Sequence, residues 1–195
     1  AGHMLWTGAA LPERAAPLAA TLMSRRLRTY WGIRTLASDH PAYDPLGYHT
    51  GSVWPHDTAL IGWGLSRWGF GRAAAETSLG LVRAAASFGG TLPELMAGLD
   101  ASDPIASGAP VRFPTACSPQ AWAAAAPLLA LRTVLGLEVD RPNRTVHLNP
   151  QVPDAWLPLT LHQIRSGGER LLVRAGSAGH AEVVGLPADA RVEHG

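Results

Sequence analysis

Lysine is absent from the 195 residues, so all 16 basic side chains are arginine. A phosphate-cradling glycine loop that ends in lysine is therefore excluded. Biased codon usage in a GC-rich genome explains the arginines more simply than any phosphate-binding purpose. A single cysteine, Cys117, rules out an internal disulfide and any cysteine-rich metal site, and its default reading is a small buried hydrophobe. Charge is sparse as well, at 16% of residues with a formal net charge of +1. Without a basic stripe, an acidic tail or an amphipathic basic helix, nucleic acid and membrane surfaces are poor partners. No apolar run approaches the roughly 20 residues needed to cross a bilayer, and no basic-then-apolar segment opens the chain. The expectation is a soluble, cytoplasmic chain. No Gly-x-Ser-x-Gly elbow is present for Ser/His/Asp hydrolase chemistry.

What is abundant is apolar surface, at 47% of residues. That share with so little charge implies extensive helix-on-helix burial or a face covered by other chain. Ala1-Gly2-His3-Met4 reads as an expression-tag remnant. A helix is expected from about Pro12 to Tyr30, with Leu11, Ala15, Leu18 and Leu22 on one face and arginines in its last turns. Residues 31–51 read as a long loop with one short strand at Ile33–Leu36. A second helix is expected from Trp54-Pro55 to Trp68, apolar nearly all round, and a third from Arg72 to Phe88, closed by Gly89-Gly90. Residues 91–115 form another long loop. Ser118-Pro119 supplies a cap and first-turn proline for a fourth helix that runs to Leu135, kinks at Pro127 and ends on Gly136. Short strands are then expected at 145–148, 157–164, 170–174 and 181–185, with Gly167-Gly168 as a hairpin signal.

Three words carry candidate chemistry: Gly47 to Asp57 (GYHTGSVWPHD), Leu92 to Gly98 (LPELMAG) and Cys117 to Trp122 (CSPQAW). Each lies in a loop or at a loop-to-helix junction, where polar side chains can converge on a cleft. A sugar-binding cleft needs flat aromatic faces against pyranose C–H patches, and carboxylate, imidazole or amide groups for the hydroxyls. Trp63 and Trp68 are assigned to the core, whereas Trp31, Trp54 and Trp122 are equally suited to core and cleft. Glu94 is either an exposed loop carboxylate or, given Pro93, Leu95, Met96 and Gly98 around it, a carboxylate tuned by apolar surroundings. His56 and Asp57 can hold sugar hydroxyls, or Asp57 can simply serve the first helical turn. A metal site from His49, His56 and Asp57 lacks the helical spacing of known motifs, so neither metal nor cofactor is expected.

The ordered set Gly32-Ile33-Arg34-Thr35-Leu36, Pro41, Tyr43, Pro45, Tyr48-His49 and Gly51 to Asp57, followed by Leu92-Pro93-Glu94-Leu95 and Cys117 to Trp122, resembles glycogen-debranching, amylo-α-1,6-glucosidase-like proteins over about residues 30 to 137. The resemblance implies an α/α toroid; with the four helices read above, a mainly α fold is expected, a partial toroid over 5–137, and the strand texture adds a small antiparallel β tail over 138–195. The resemblance also implies an inverting glycoside hydrolase acting on an oligosaccharide or α-glucan, with Glu94 as general base. Trp31, Tyr48, His49, Trp54, His56, Asp57, Gln120 and Trp122 would line the sugar subsite. The family's general acid comes from an earlier hairpin that has no counterpart here, so the chain reads as a C-terminal part of such an enzyme. A non-catalytic carbohydrate-binding or structural module is the other reading. The apolar helices point to a homo-oligomer or to the missing half of a barrel, and Trp156 is expected to plug the join between tail and helices.

Overall fold

The computed structural model describes residues 1–195 apart from Gly167 and Ala178. Five helices run in chain order: α1 (His3–Thr7), α2 (Pro12–Leu22), α3 (Pro55–Arg67), α4 (Gly71–Ser87) and α5 (Ala121–Leu135). Six strands follow: β1 (Glu138–Asp140), β2 (Thr145–Leu148), β3 (Leu159–Ser166), β4 (Glu169–Ala175), β5 (Ala181–Val184) and β6 (Arg191–His194). The chain divides into two compact units, Ala1–Ala130 and Leu131–Gly195.

A mainly α fold is not what forms. Helix accounts for 33% of the chain and strand for 19%, in two small sheets, so the architecture is mixed α/β and the expected partial toroid is corrected. The physical reason lies in two long segments between helices. The expected first helix stops at Leu22, and residues 23–54 and 88–120 run as irregular chain whose backbone groups find partners in each other. Isolated antiparallel bridges join Arg28 to Ile33, Arg34 to Val53, Val53 to Met96 and Met96 to Arg112. These segments are therefore stitched side by side like short strands.

Around them the helices follow local rules. Pro55 opens α3 with its fixed φ, Asp57 sits in the first turn and Arg67 in the last, matching the helix dipole at both ends. Gly69 takes φ 79°, and Phe70 N–H closes on the Leu65 carbonyl at 2.9 Å. The all-round apolar character of α3 has a partner within the unit: Ile61 and Leu65 pack with Leu5, Ala15, Leu22 and Ala74, while Ala59 packs with Trp31, Val53, Leu81 and Met96. Trp63 is buried as expected, and Trp68 is half-buried with its indole N–H on the Leu5 carbonyl at 2.9 Å. In α5 the first helical hydrogen bond runs from Ala124 N–H to the Gln120 carbonyl, so the helix begins after Ser118-Pro119 and not at it. Leu128 of α5 is 69% exposed.

In the second unit β1 pairs antiparallel with β2, β2 pairs parallel with β6, and β3, β4 and β5 form an antiparallel meander. The wholly antiparallel tail is thus corrected: β6 returns from the chain end to lie parallel to β2, with Val146 beside Val192. Of the expected Gly167-Gly168 hairpin, Gly167 lies outside the described residues, while Ser166 pairs with Glu169 across it. The core of this unit is Leu135, Leu137, Val146, Leu148, Val173, Ala175 and Ala181, and Trp156 is half-buried in a short 3₁₀ turn.

The braid of loops tolerates no side chain at Gly98. Its N–H bonds the Pro45 carbonyl at 2.8 Å, its carbonyl accepts from Arg34 Nε at 2.6 Å and Tyr43 Oη at 2.9 Å, and a Cβ there would overlap the Gly51 carbonyl. Gly98→Ala is expected to lower stability by about 2 kcal/mol or more, because backbone has to move. Gly176→Ala, with open space around it, should stay within about 0.5 kcal/mol of wild type. Equilibrium urea unfolding of the two variants measures the contrast.

Candidate active site

Glu94 is the buried carboxylate of the first unit, 8% exposed, and it sits on the loop braid and not on a helix. Its N–H bonds the Cys117 carbonyl at 2.9 Å, and two residues on, Met96 exchanges backbone hydrogen bonds with Val53. Main-chain bonds on both sides thus fix where its side chain stands. Tyr48 Oη donates to Oε1 at 2.6 Å, and Cys117 N–H donates to Oε2 at 3.2 Å. The Tyr48 hydroxyl, then the Cys117 amide, outweigh the opposing effect of burial and hold the Glu94 carboxyl below its ordinary value. The same bond pushes the Tyr48 phenol up to about 12, so it stays a donor at neutral pH. The carboxylate is ionised and aimed.

Tyr48 is in turn held by its own main chain. Its carbonyl accepts from Ser52 Oγ at 2.7 Å and from Trp54 Nε1 at 3.1 Å, and Trp54 Nε1 also reaches Ser52 Oγ at 3.0 Å. Rings then follow one another through the cluster. Tyr48 meets Trp54 edge to face at 4.8 Å and His49 at 4.7 Å, and His49 stacks on Trp54 at 5.5 Å with 9° between planes. Trp54 meets His56 edge to face at 5.7 Å, and His56 stacks on Trp122 at 4.3 Å with 12° between planes. Trp122 is 51% exposed, so the series ends in an indole open to solvent.

The expected site residues therefore separate. Tyr48, His49, Trp54, His56 and Trp122 form one continuous ring cluster with Glu94, and Gln120 adds a further hydrogen bond that lowers the Glu94 pKa. Gln120 Oε1 and His56 Nδ1 are buried without a hydrogen-bond partner among the described residues. Asp57 points instead to His3 Nε2 at 2.9 Å and lies 3.4 Å from His56 Nε2. Trp31 is in the core, 3% exposed, packed with Val53, Leu81 and Met96, and its ring contact is with Tyr30. Cys117 is exposed, which corrects the reading of it as a buried hydrophobe: its loop is pinned by backbone bonds to Glu94, leaving the thiol at the surface. Phe113 was not singled out from the sequence, yet its ring lies 5.8 Å from Tyr48; a phenylalanine just before Pro114 in a long loop was the available signal. Among the described residues no group of three His, Cys, Asp or Glu side chains is placed to hold a metal ion. Among the described residues no helix is long and apolar enough to cross a membrane.

An ionised, hydrogen-bonded carboxylate beside a series of aromatic rings offers a hydrogen-bond acceptor and flat apolar faces side by side. Residues 1–92 match the family model described as the mannosylglycerate hydrolase MGH1-like glycoside hydrolase domain. That stretch, which includes Tyr48, His49, Trp54, His56 and Asp57 and stops two residues short of Glu94, is similar to a glycoside hydrolase domain. The match supports a glycoside hydrolase family and not amylo-α-1,6-glucosidases in particular. No curated protein matches the chain.

Burial, ahead of the opposing attraction of Asp57, lowers the His56 pKa below its ordinary 6.5, so the folded chain prefers the neutral ring. A depressed histidine pKa means the unfolded chain binds the proton first. Stability attributable to His56 is complete above about pH 6.5 and falls as pH is lowered through that value. Thermal melting between pH 7 and pH 5 is expected to show this fall in wild type and a shallower one in His56→Asn.

Proposed function

We propose that the chain carries the base side of a glycoside-hydrolysing site, with Glu94 as general base and a sugar seated against the exposed ring of Trp122. The observation that supports this reading is the Tyr48–Glu94 hydrogen bond of 2.6 Å on a buried carboxylate. A carboxyl held below its ordinary value is deprotonated at neutral pH, which fits it to accept a proton and not to donate one, and the same hydrogen bonds make it a weaker base than a free carboxylate. In an inverting reaction Glu94 takes a proton from water while the water oxygen bonds to the anomeric carbon and the glycosidic C–O bond breaks. The departing oxygen then takes a proton from a second carboxylic acid. Asp57 lies 3.4 Å from His56 Nε2 at the far side of the ring cluster and not beside Glu94, so this reading takes the acid from another part of the site.

The substrate class follows from resemblance. The ordered sequence words favour an α-glucan and a debranching-type linkage, while the family model matched over residues 1–92 carries mannosylglycerate in its name. A second reading, a carbohydrate-binding module without turnover, is favoured because no second carboxylate stands beside Glu94 among the described contacts.

Turnover and calorimetric binding of malto-oligosaccharides, limit dextrin and mannosylglycerate separate these readings. With hydrolysis, Glu94→Gln is expected to lower kcat by on the order of a hundredfold or more with binding retained. Unchanged turnover in that variant removes Glu94 as the base. Sugar binding with no hydrolysis of any of the three supports the module.

A further inference from the structure

The first unit holds a recess whose lining shares no residue with the ring cluster. It has a volume of about 510 Å³ and is lined by Arg25, Arg28, Tyr30 and Asp100, with Arg83 and Glu76 from α4 and Ser102 at the rim. None of these residues belongs to the ladder around Glu94. The size lies within the range of small-ligand sites.

Its charges do not cancel. Glu76 is engaged twice, by Arg28 Nη1 at 2.8 Å and by Arg72 Nε at 3.1 Å. Among the described residues Arg25 and Arg83 have no carboxylate partner. The Arg83 guanidinium lies over the Tyr30 ring, 4.3 Å from its centroid, which orients it, and its N–H donors have no hydrogen-bond partner among the described residues. Asp100 accepts from Tyr30 N–H at 2.8 Å and from the Ser102 N–H and hydroxyl at 3.1 and 2.8 Å, all on the edge of the same recess. Burial pushes the Asp100 carboxyl up, but these hydrogen bonds and nearby Arg34 outweigh it, so it is an ionised acceptor. The Tyr30 side is 44% exposed.

Two unpaired guanidiniums call for an anion, whereas an ionised carboxylate beside them repels a bare one and welcomes hydroxyl donors. We propose that this recess is a second ligand site, for a small polyol that carries one oxyanion, either a phosphate ester or a carboxylate. The oxyanion sits between Arg25 and Arg83, the hydroxyls face Asp100, and the C–H surface of the polyol lies against Tyr30. The arrangement disfavours both a free inorganic anion, which meets Asp100, and a neutral sugar, which leaves both guanidiniums unpaired.

Calorimetric titration with four probes tests the site: a hexose 6-phosphate, a hexuronate, inorganic phosphate and the free hexose. One of the two anionic sugars is expected to bind at least about tenfold more tightly than inorganic phosphate and the free hexose, which identifies phosphate or carboxylate as the oxyanion. Arg25→Gln and Arg83→Gln should each weaken that binding by about tenfold or more, as expected for loss of a charge-assisted pair. Arg25 is an exposed side chain, so Arg25→Gln decides the matter if Arg83→Gln disturbs folding through Tyr30. Glu94→Gln should leave the affinity unchanged, which separates this site from the proposed sugar site. The proposal is overturned if neither anionic sugar binds, if the free hexose binds as tightly, or if Arg25→Gln binds like wild type.

Discussion

Val53 and Met96 exchange both of their backbone hydrogen bonds, at 2.9 and 2.8 Å, and neither side chain touches solvent. Everything at the candidate site hangs from that pair. It ties the segment that delivers Tyr48 and Trp54 to the one that delivers Glu94, so two loops far apart in sequence share one fixed frame. Flanking bridges from Arg34 to Val53 and from Met96 to Arg112 extend the frame on either side, and Gly98 and Gly51 allow the two chains to approach without side chains between them. Burying so much irregular backbone is tolerable because the polar groups are paired within the braid. The helices supply the apolar wall behind it: Leu81 and Ala84 of α4 and Ala123 and Ala126 of α5 pack on Val53 and Met96.

On this frame a carboxylate is kept ionised in a poorly hydrated place by donors and not by a salt bridge. Tyr48 and the Cys117 amide each supply one, and Tyr48 is itself anchored through its carbonyl by Ser52 and Trp54. Neutral donors keep Glu94 ionised without an opposite charge beside it, so the cluster retains a net negative charge. The rings extend from Tyr48, itself exposed, through buried Trp54 and half-buried His56 to the exposed indole of Trp122. The unpartnered Gln120 Oε1 and His56 Nδ1 lie on residues of this ladder. Buried atoms of that kind carry a cost that a ligand or water hydroxyl relieves.

Much of the site was legible because its residues sit in compact words. Tyr48, His49, Trp54 and His56 fall within nine positions, and the setting of Glu94 between Pro93 and Leu95-Met96 marked it as more than a surface acid. The spans of α3 and α4 were legible from proline at a helix start and glycine at an end. What could not be read was pairing at a distance. The bridges among residues 28–34, 53, 96 and 112 involve single residues without strand periodicity, so the sequence looks like loop and helix where the chain forms a stitched layer. The parallel return of β6 beside β2 has the same cause, since four residues near the chain end carry no sign of their partner 46 positions earlier. Trp31 went to the core for a third reason: its loop turns inward against α4, where Gly80 leaves room for the Tyr30 and Trp31 backbone.

The central claim is that the Tyr48 hydroxyl holds Glu94 as an ionised base. The most direct measurement is an NMR titration of the Glu94 carboxyl carbon in wild type and in Tyr48→Phe, which keeps the ring and removes the donor. Wild-type Glu94 should titrate below its ordinary 4.5, and its pKa should rise in Tyr48→Phe. A wild-type value at or above 4.5, or the same value in both proteins, contradicts the account.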